Sequence, residues 1–115
     1  MTEGCLFCRM VAGEIAPDVV YEDAEVLAFR DVNPKAPTHI LVIPKAHVAT
    51  LNDLTEEHAP LVGRLFLVAK RVAEERGFAG PGYRVVVNCN RQAGQSVFHL
   101  HLHVLAGRLM GWPPG

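Results

Sequence analysis

The chain is 115 residues long, half hydrophobic and a fifth charged, with a formal net charge of -1. That length suits one domain, spanning 1–115, with a core of its own, and the near-neutral balance gives no basic field to hold a nucleic-acid backbone. No run approaches the roughly eighteen apolar residues of a membrane span. The acidic opening, Met1 to Cys5, lacks the basic region and apolar run of a signal peptide. We therefore expect a soluble cytoplasmic protein with neither nucleic acid nor membrane as partner.

Leu6 to Ala12 reads as a short helix ended by Gly13. Val19-Val20-Tyr21 and Glu25 to Arg30 form a hairpin around the turn Glu22-Asp23-Ala24. Asp31 to Pro37 is a loop, because Pro34 and Pro37 bias the preceding residues away from helix. His39 to Ile43 is a strand closed by Pro44, with His39, Leu41 and Ile43 on one face and Ile40 and Val42 on the other. The long helix runs from about Thr55 to Arg76, or regularly only from near Pro60, and Gly77 ends it. Leu61, Leu65, Val68 and Val72 make its apolar stripe, widened by Val62, Phe66 and Ala69, while His58 reads as solvated surface. Arg84 to Cys89 is a fourth strand, with Cys89 facing the core, and Val97 to Leu105 is a fifth. The fold class is α+β: a five-stranded antiparallel sheet, one long helix and one short N-terminal helix.

His99-Leu100-His101-Leu102-His103-Val104 is the most informative stretch. In a strand its three imidazoles leave from one face and its aliphatic residues from the other. Imidazole titrates near neutrality, so one ring can be a neutral nucleophile while its neighbour donates a proton. Phosphoryl chemistry needs such a pair, plus backbone N–H groups that the loop Gly94-Gln95-Ser96 can offer. Joint binding of one metal by all three histidines is the competing reading. Cys5 and Cys8 form a separate C-x-x-C, spaced as zinc ligands often are; a buried pair without metal and a redox pair are the alternatives.

The His-x-His-x-His run, Asp31, Ala36-Pro37-Thr38-His39, Val42-Ile43-Pro44-Lys45, Gly94-Gln95-Ser96 and the tail Trp112-Pro113-Pro114-Gly115 resemble the histidine triad superfamily. The tail resembles its nucleotide-binding branch, whose members are purine nucleoside phosphoramidases. This resemblance implies hydrolysis at the α-phosphorus of purine nucleoside 5′-phosphoramidates, with acyl-nucleotides as further candidates. It implies His101 as nucleophile, forming a nucleotidyl-histidine, His103 as donor to a phosphate oxygen, Ser96 beside the leaving group and His39 assisting the proton traffic. Asp31 would take the ribose hydroxyls, and Asn88 would lie near the phosphate. Phe7, Met10, Ile15, Phe29, Val32 and Leu41 would enclose the base, and Gly94, Gln95 and Trp112 would complete the nucleotide site.

The same resemblance adds His47 and His99 to Cys5 and Cys8 as a structural zinc set. It implies a two-fold homodimer whose tails, 107–115, approach the partner's active site; alternatively, Leu109, Met110 and Trp112 fold back on their own subunit. Hydrolysis of dinucleoside polyphosphates and non-catalytic nucleotide binding are the other functional readings.

Overall fold

The computed structural model describes residues 4–115; Met1 to Glu3 of the acidic opening lie outside the described residues. Seven regular elements follow in chain order: α1 (Leu6–Val11), β1 (Val19–Glu22), β2 (Val26–Arg30), β3 (Thr38–Pro44), α2 (Ala59–Glu75), β4 (Arg84–Val86) and β5 (Leu102–Ala106). The strands form the expected five-stranded antiparallel sheet, in the order β1-β2-β3-β5-β4.

Two apolar clusters lie on opposite faces of that sheet. Ile40, Val42, Leu102 and Val104 pack against Leu65, Val68, Ala69 and Val72 of α2. Leu27, Phe29, Leu41 and Ile43 pack beneath Phe7 of α1 on the other face. Burying one side chain such as Leu65 contributes about 1.5–3 kcal/mol. The helix stripe is narrower than its periodicity suggests, because Phe66 remains half exposed and Leu61 and Val62 only partly buried.

α2 takes the later of its two expected starts, and two strand boundaries differ from expectation, each for a local reason. α2 begins at Ala59, because Thr55–His58 is a tighter turn in which Nδ1 of His58 accepts from the Thr55 N–H. His58 is thus a half-buried cap rather than solvated surface, and Pro60 sits in the first helical turn where its missing N–H costs nothing. β4 stops at Val86, leaving Cys89 half-buried outside both apolar clusters. β5 begins at Leu102 rather than Val97. The pairing of Val42 with Leu102 would place Pro44 opposite Leu100, and proline has no N–H for the ladder. Leu100 instead donates its N–H to the Val48 carbonyl at 2.6 Å.

The β1–β2 turn is held by Asp23, whose Oδ1 accepts from the Glu25 and Val26 N–H groups, both at 2.8 Å. Its Oδ2 accepts from Tyr21 at 2.8 Å and from the Arg64 guanidinium at 2.6 Å, which ties the hairpin to α2. These donors hold the carboxyl far below the usual carboxylate range against the opposing effect of burial. Asp23→Ala should lower stability by about 1–3 kcal/mol, read as an earlier midpoint in urea with an unchanged slope. A midpoint within error of wild type would mean that the clamp contributes nothing net.

Candidate active site and metal-ligand cluster

The side-chain alternation of 99–105 survives although only its second half is a regular strand. Leu100, Leu102 and Val104 face α2, while His99, His101 and His103 lie toward α1. Phe7 stands between the first two, with ring centroids 5.8 Å from His99 and 5.2 Å from His101. The three imidazoles nevertheless do different work.

Hydrogen bonds assign each proton, because a carbonyl can only accept and an amide N–H can only donate. His99 donates from Nε2 to the Pro44 carbonyl at 2.7 Å, which leaves the lone pair of its Nδ1 free. His101 donates from Nδ1 to the His99 carbonyl at 2.7 Å, which leaves the lone pair on Nε2. His39 accepts at Nδ1 from the Lys35 N–H at 3.0 Å, so its proton is on Nε2. That proton is donated to Nδ1 of His103 at 2.9 Å, which puts His103's own proton on Nε2. One nitrogen with a free lone pair, on His101, thus neighbours a ring whose Nε2 is a donor, their centroids 4.9 Å apart.

Burial pushes all four rings toward the neutral form. His103 is affected most: desolvation, aided by the neighbouring His101 and His39, lowers its pKa to about 4. For His39 and His101 the carboxylate of Asp31 partly offsets burial. Asp31, His39 and His103 converge closely enough to suggest a cation site. His39 rules that out, since Nε2 carries a proton and offers no lone pair.

A cavity of about 470 Å³ opens beside these rings. Phe7, Met10, Ile15, Phe29, Asp31, Val32, Leu41, Ser96, His101 and His103 all line it, so the structure brings together ten of the residues selected from the sequence. Ala16, Pro17, Asp18 and Arg30 also line it and were missed. The signal was the hairpin ladder, in which Arg30 donates its N–H to the Asp18 carbonyl and its side chain pairs with the Asp18 carboxylate at 3.2 Å.

Four expected residues stand elsewhere. Gln95 is buried and its amide is fully engaged, accepting from Asn90 N–H and donating to the Ala49 and Val97 carbonyls. It anchors the loop that carries Ser96. Gly94, in a left-handed conformation, closes the preceding turn. Asn88 and Trp112 line a different groove, along β4 and the chain end. Leu109 and Trp112 are 96% and 83% exposed, Trp112 lying against the Arg84 guanidinium at 6.0 Å, while Met110 is half-buried.

The cysteines form a second centre on the far side of Phe7. Sγ of Cys8 lies 3.2 Å from Nδ1 of His47 and 3.5 Å from Nδ1 of His99; Sγ of Cys5 lies 3.4 Å from the latter. The two Nδ1 atoms are 3.3 Å apart. Zinc bonded to two sulfurs and two nitrogens in a tetrahedron would separate its ligand atoms by roughly 3.3–3.8 Å, so donor types and spacing both fit a cation. Without one, burial and the adjacent Cys5 push the Cys8 thiol up to about 11. The group Cys5, Cys8, His47 and His99 could therefore hold a metal.

The description HIT domain matches this chain over residues 12–110. The chain belongs to the HIT family. A purine nucleoside phosphoramidase of Escherichia coli K12 is 47% identical over 111 residues, which cover 96% of this HIT chain and 93% of that one. A HIT-like protein of Synechococcus elongatus is 50% identical over 115 residues, the whole of both chains. Among solved structures, a HIT family hydrolase from Legionella pneumophila superposes with a TM-score of 0.96 at 50% identity, covering 97% of this chain and all of that one. A histidine triad protein from Clostridium difficile superposes at 0.90 with 46% identity, over 93% of each chain. No helix of the described residues is long and apolar enough to cross a membrane.

His103 gives the site a pH signature. The unfolded chain protonates this residue near pH 6.5, whereas the folded site holds it neutral down to about pH 4. Between those values the unfolded state binds more protons, so His103's contribution to stability is complete above pH 6.5 and is lost toward pH 4. The melting temperature of wild type should therefore fall more steeply than that of His103→Gln over this window. Parallel slopes would mean that His103 is not held neutral.

Proposed function

We propose that this chain hydrolyses purine nucleoside 5′-phosphoramidates through a nucleotidyl-histidine at His101. The observation that carries the reading is the commitment of His101's only proton to the His99 carbonyl, which leaves Nε2 as a neutral nucleophile at the wall of the cavity. The E. coli phosphoramidase supports the choice of bond. Nε2 attacks the α-phosphorus, a P–N bond breaks and the amine leaves; water then attacks the phosphorus and releases the nucleoside monophosphate with free His101. The Nε2–H of His103, held in place by His39, donates to a phosphate oxygen as charge builds there. Asp31 accepts from the ribose hydroxyls, and the apolar wall from Phe7 to Leu41 encloses the base. Ser96 stands beside the leaving nitrogen.

Zinc is the cation we assign to the cysteine–histidine group, and its role is structural: it would neutralise two thiolates and fix α1 against the end of β3. The free cysteines suit a reducing cytoplasm. We assign the half-exposed Phe66 and Leu67 of α2, with the open edge of β4, to a two-fold homodimer interface.

Wild type should release AMP from adenosine 5′-phosphoramidate at neutral pH. His101→Ala should lose at least about a thousandfold of that rate, as removal of a nucleophile does. Quenching wild type during turnover should trap an adenylylated peptide containing His101. A protein that binds AMP but releases none from this compound would instead be a nucleotide-binding module. Elemental analysis should find about one zinc per chain in wild type, lost in Cys8→Ser together with several degrees of melting temperature. Retention of zinc by that variant would refute the ligand assignment.

A further inference from the structure

The loop between β2 and β3 is exposed from Val32 to Lys35, yet it decides which nitrogen of His39 carries the proton. Both backbone polar groups of Lys35 are committed. Its N–H donates to Nδ1 of His39 at 3.0 Å. Its carbonyl accepts from two nitrogens of Arg108, Nη2 at 3.0 Å and Nε at 3.2 Å. Nη1 of the same guanidinium donates to the Leu109 carbonyl at 3.3 Å, which steadies the side chain on its own backbone. A second contact joins the same two segments one residue earlier. Gly107 leaves β5 with a φ of 99°, and a Cβ there would stand 2.9 Å from Cβ of Pro37. The root of the tail thus lies along the end of the loop.

We propose that Arg108 is a positioning residue for the reaction: by bracing Lys35 it fixes the tautomer of His39 and, through it, the nitrogen that His103 turns to the phosphate. The proposal rests on the phosphoramidase reading and adds to it a residue that does not line the cavity. The tautomers are linked in series. With the Lys35 N–H in place, a proton on Nδ1 of His39 would face another proton. The ring therefore carries it on Nε2 and donates to Nδ1 of His103, which leaves His103 with an Nε2–H to offer. If the Lys35 N–H withdraws, His39 can carry its proton on Nδ1 instead. Its Nε2 then accepts, the hydrogen bond to His103 reverses, and His103 turns a lone pair toward the phosphate oxygens. Asp31 lies 3.4 Å from the same Nε2 of His39 and favours the same tautomer, so loss of Arg108 mixes the two forms rather than inverting them. An exposed loop with little burial to hold it needs such a brace. A planar guanidinium supplies it with two converging donors, which an ammonium cannot.

The test joins nitrogen NMR of histidine-labelled protein, which separates protonated from lone-pair ring nitrogens, to kinetics with adenosine 5′-phosphoramidate. Wild type at neutral pH should show His39 and His103 each in one tautomer, protonated at Nε2. Arg108→Ala should mix the tautomers of both rings, while His101 keeps its proton on Nδ1 because its acceptor is the His99 carbonyl. Its kcat should fall about tenfold, the scale of one net hydrogen bond. KM should stay unchanged, the pattern of an interaction that acts only in the transition state. Arg108→Lys, which keeps the charge but not the fork, should give the same changes at smaller size, and it decides the matter should Arg108→Ala not fold. Wild-type tautomers in a folded Arg108→Ala would overturn the proposal, whatever its rate. Mixed tautomers with an unchanged kcat would overturn it too, since the proton position on His103 would not matter. No AMP release by wild type would overturn the phosphoramidase reading and this role with it, a failure distinct from the others because they require an active wild type.

Discussion

Three groups of one buried residue hold the chemistry together. The Nε2–H of His99 is fixed on the Pro44 carbonyl, its Nδ1 faces two thiols and a second imidazole, and its carbonyl takes the proton of His101. The acceptor matters for what His101 can do. A carboxylate there would stabilise the imidazolium and raise the pKa of the ring, costing it the lone pair a nucleophile needs. A carbonyl orients the ring and fixes its tautomer with much less bias toward the charged form. Burial can then keep the ring neutral.

The sheet separates stability from reactivity. Because side chains alternate, the same residues that lay Leu100, Leu102 and Val104 on α2 present His99, His101 and His103 to the other face. The apolar face needs only hydrophobic volume of the right shape. The opposite face can therefore carry buried imidazoles whose hydrogen-bond partners come mostly from backbone: Pro44, His99 and Lys35. Backbone partners are fixed by the fold itself, so each proton position follows from strand register.

This explains which parts were legible in advance. Alternation gave the faces of β3 and of the histidine run, and helical spacing gave the buried side of α2, because these are local patterns. The start of β5 was not local: it depends on Pro44 falling opposite Leu100 once Val42 pairs with Leu102. Gln95 reads as part of a phosphate loop, yet its amide joins Asn90 to Ala49 and Val97, a closure invisible before the fold brings position 49 beside the loop. Asn88 moved for a similar reason, since β4 ends two residues before it. The cysteine–histidine group was legible only in part: the C-x-x-C is a local signal, whereas the family resemblance supplied His47 and His99.

α1 shows how closely the two centres depend on each other. Six residues are too few to form a stable helix alone. Its Sγ atoms of Cys5 and Cys8 turn toward His47 and His99, while Phe7 and Met10 of the same turns line the cavity beside His101. Phe7 touches both sides, meeting His99 and His101 edge-on and Phe29 below at 5.4 Å. The cavity's roof is therefore a segment whose order comes from what it packs on and from the contacts of its cysteines with His47 and His99. The cysteines are linked to His101 by two sets of contacts, through the Phe7 ring and through the backbone of His99, although neither cysteine lines the cavity.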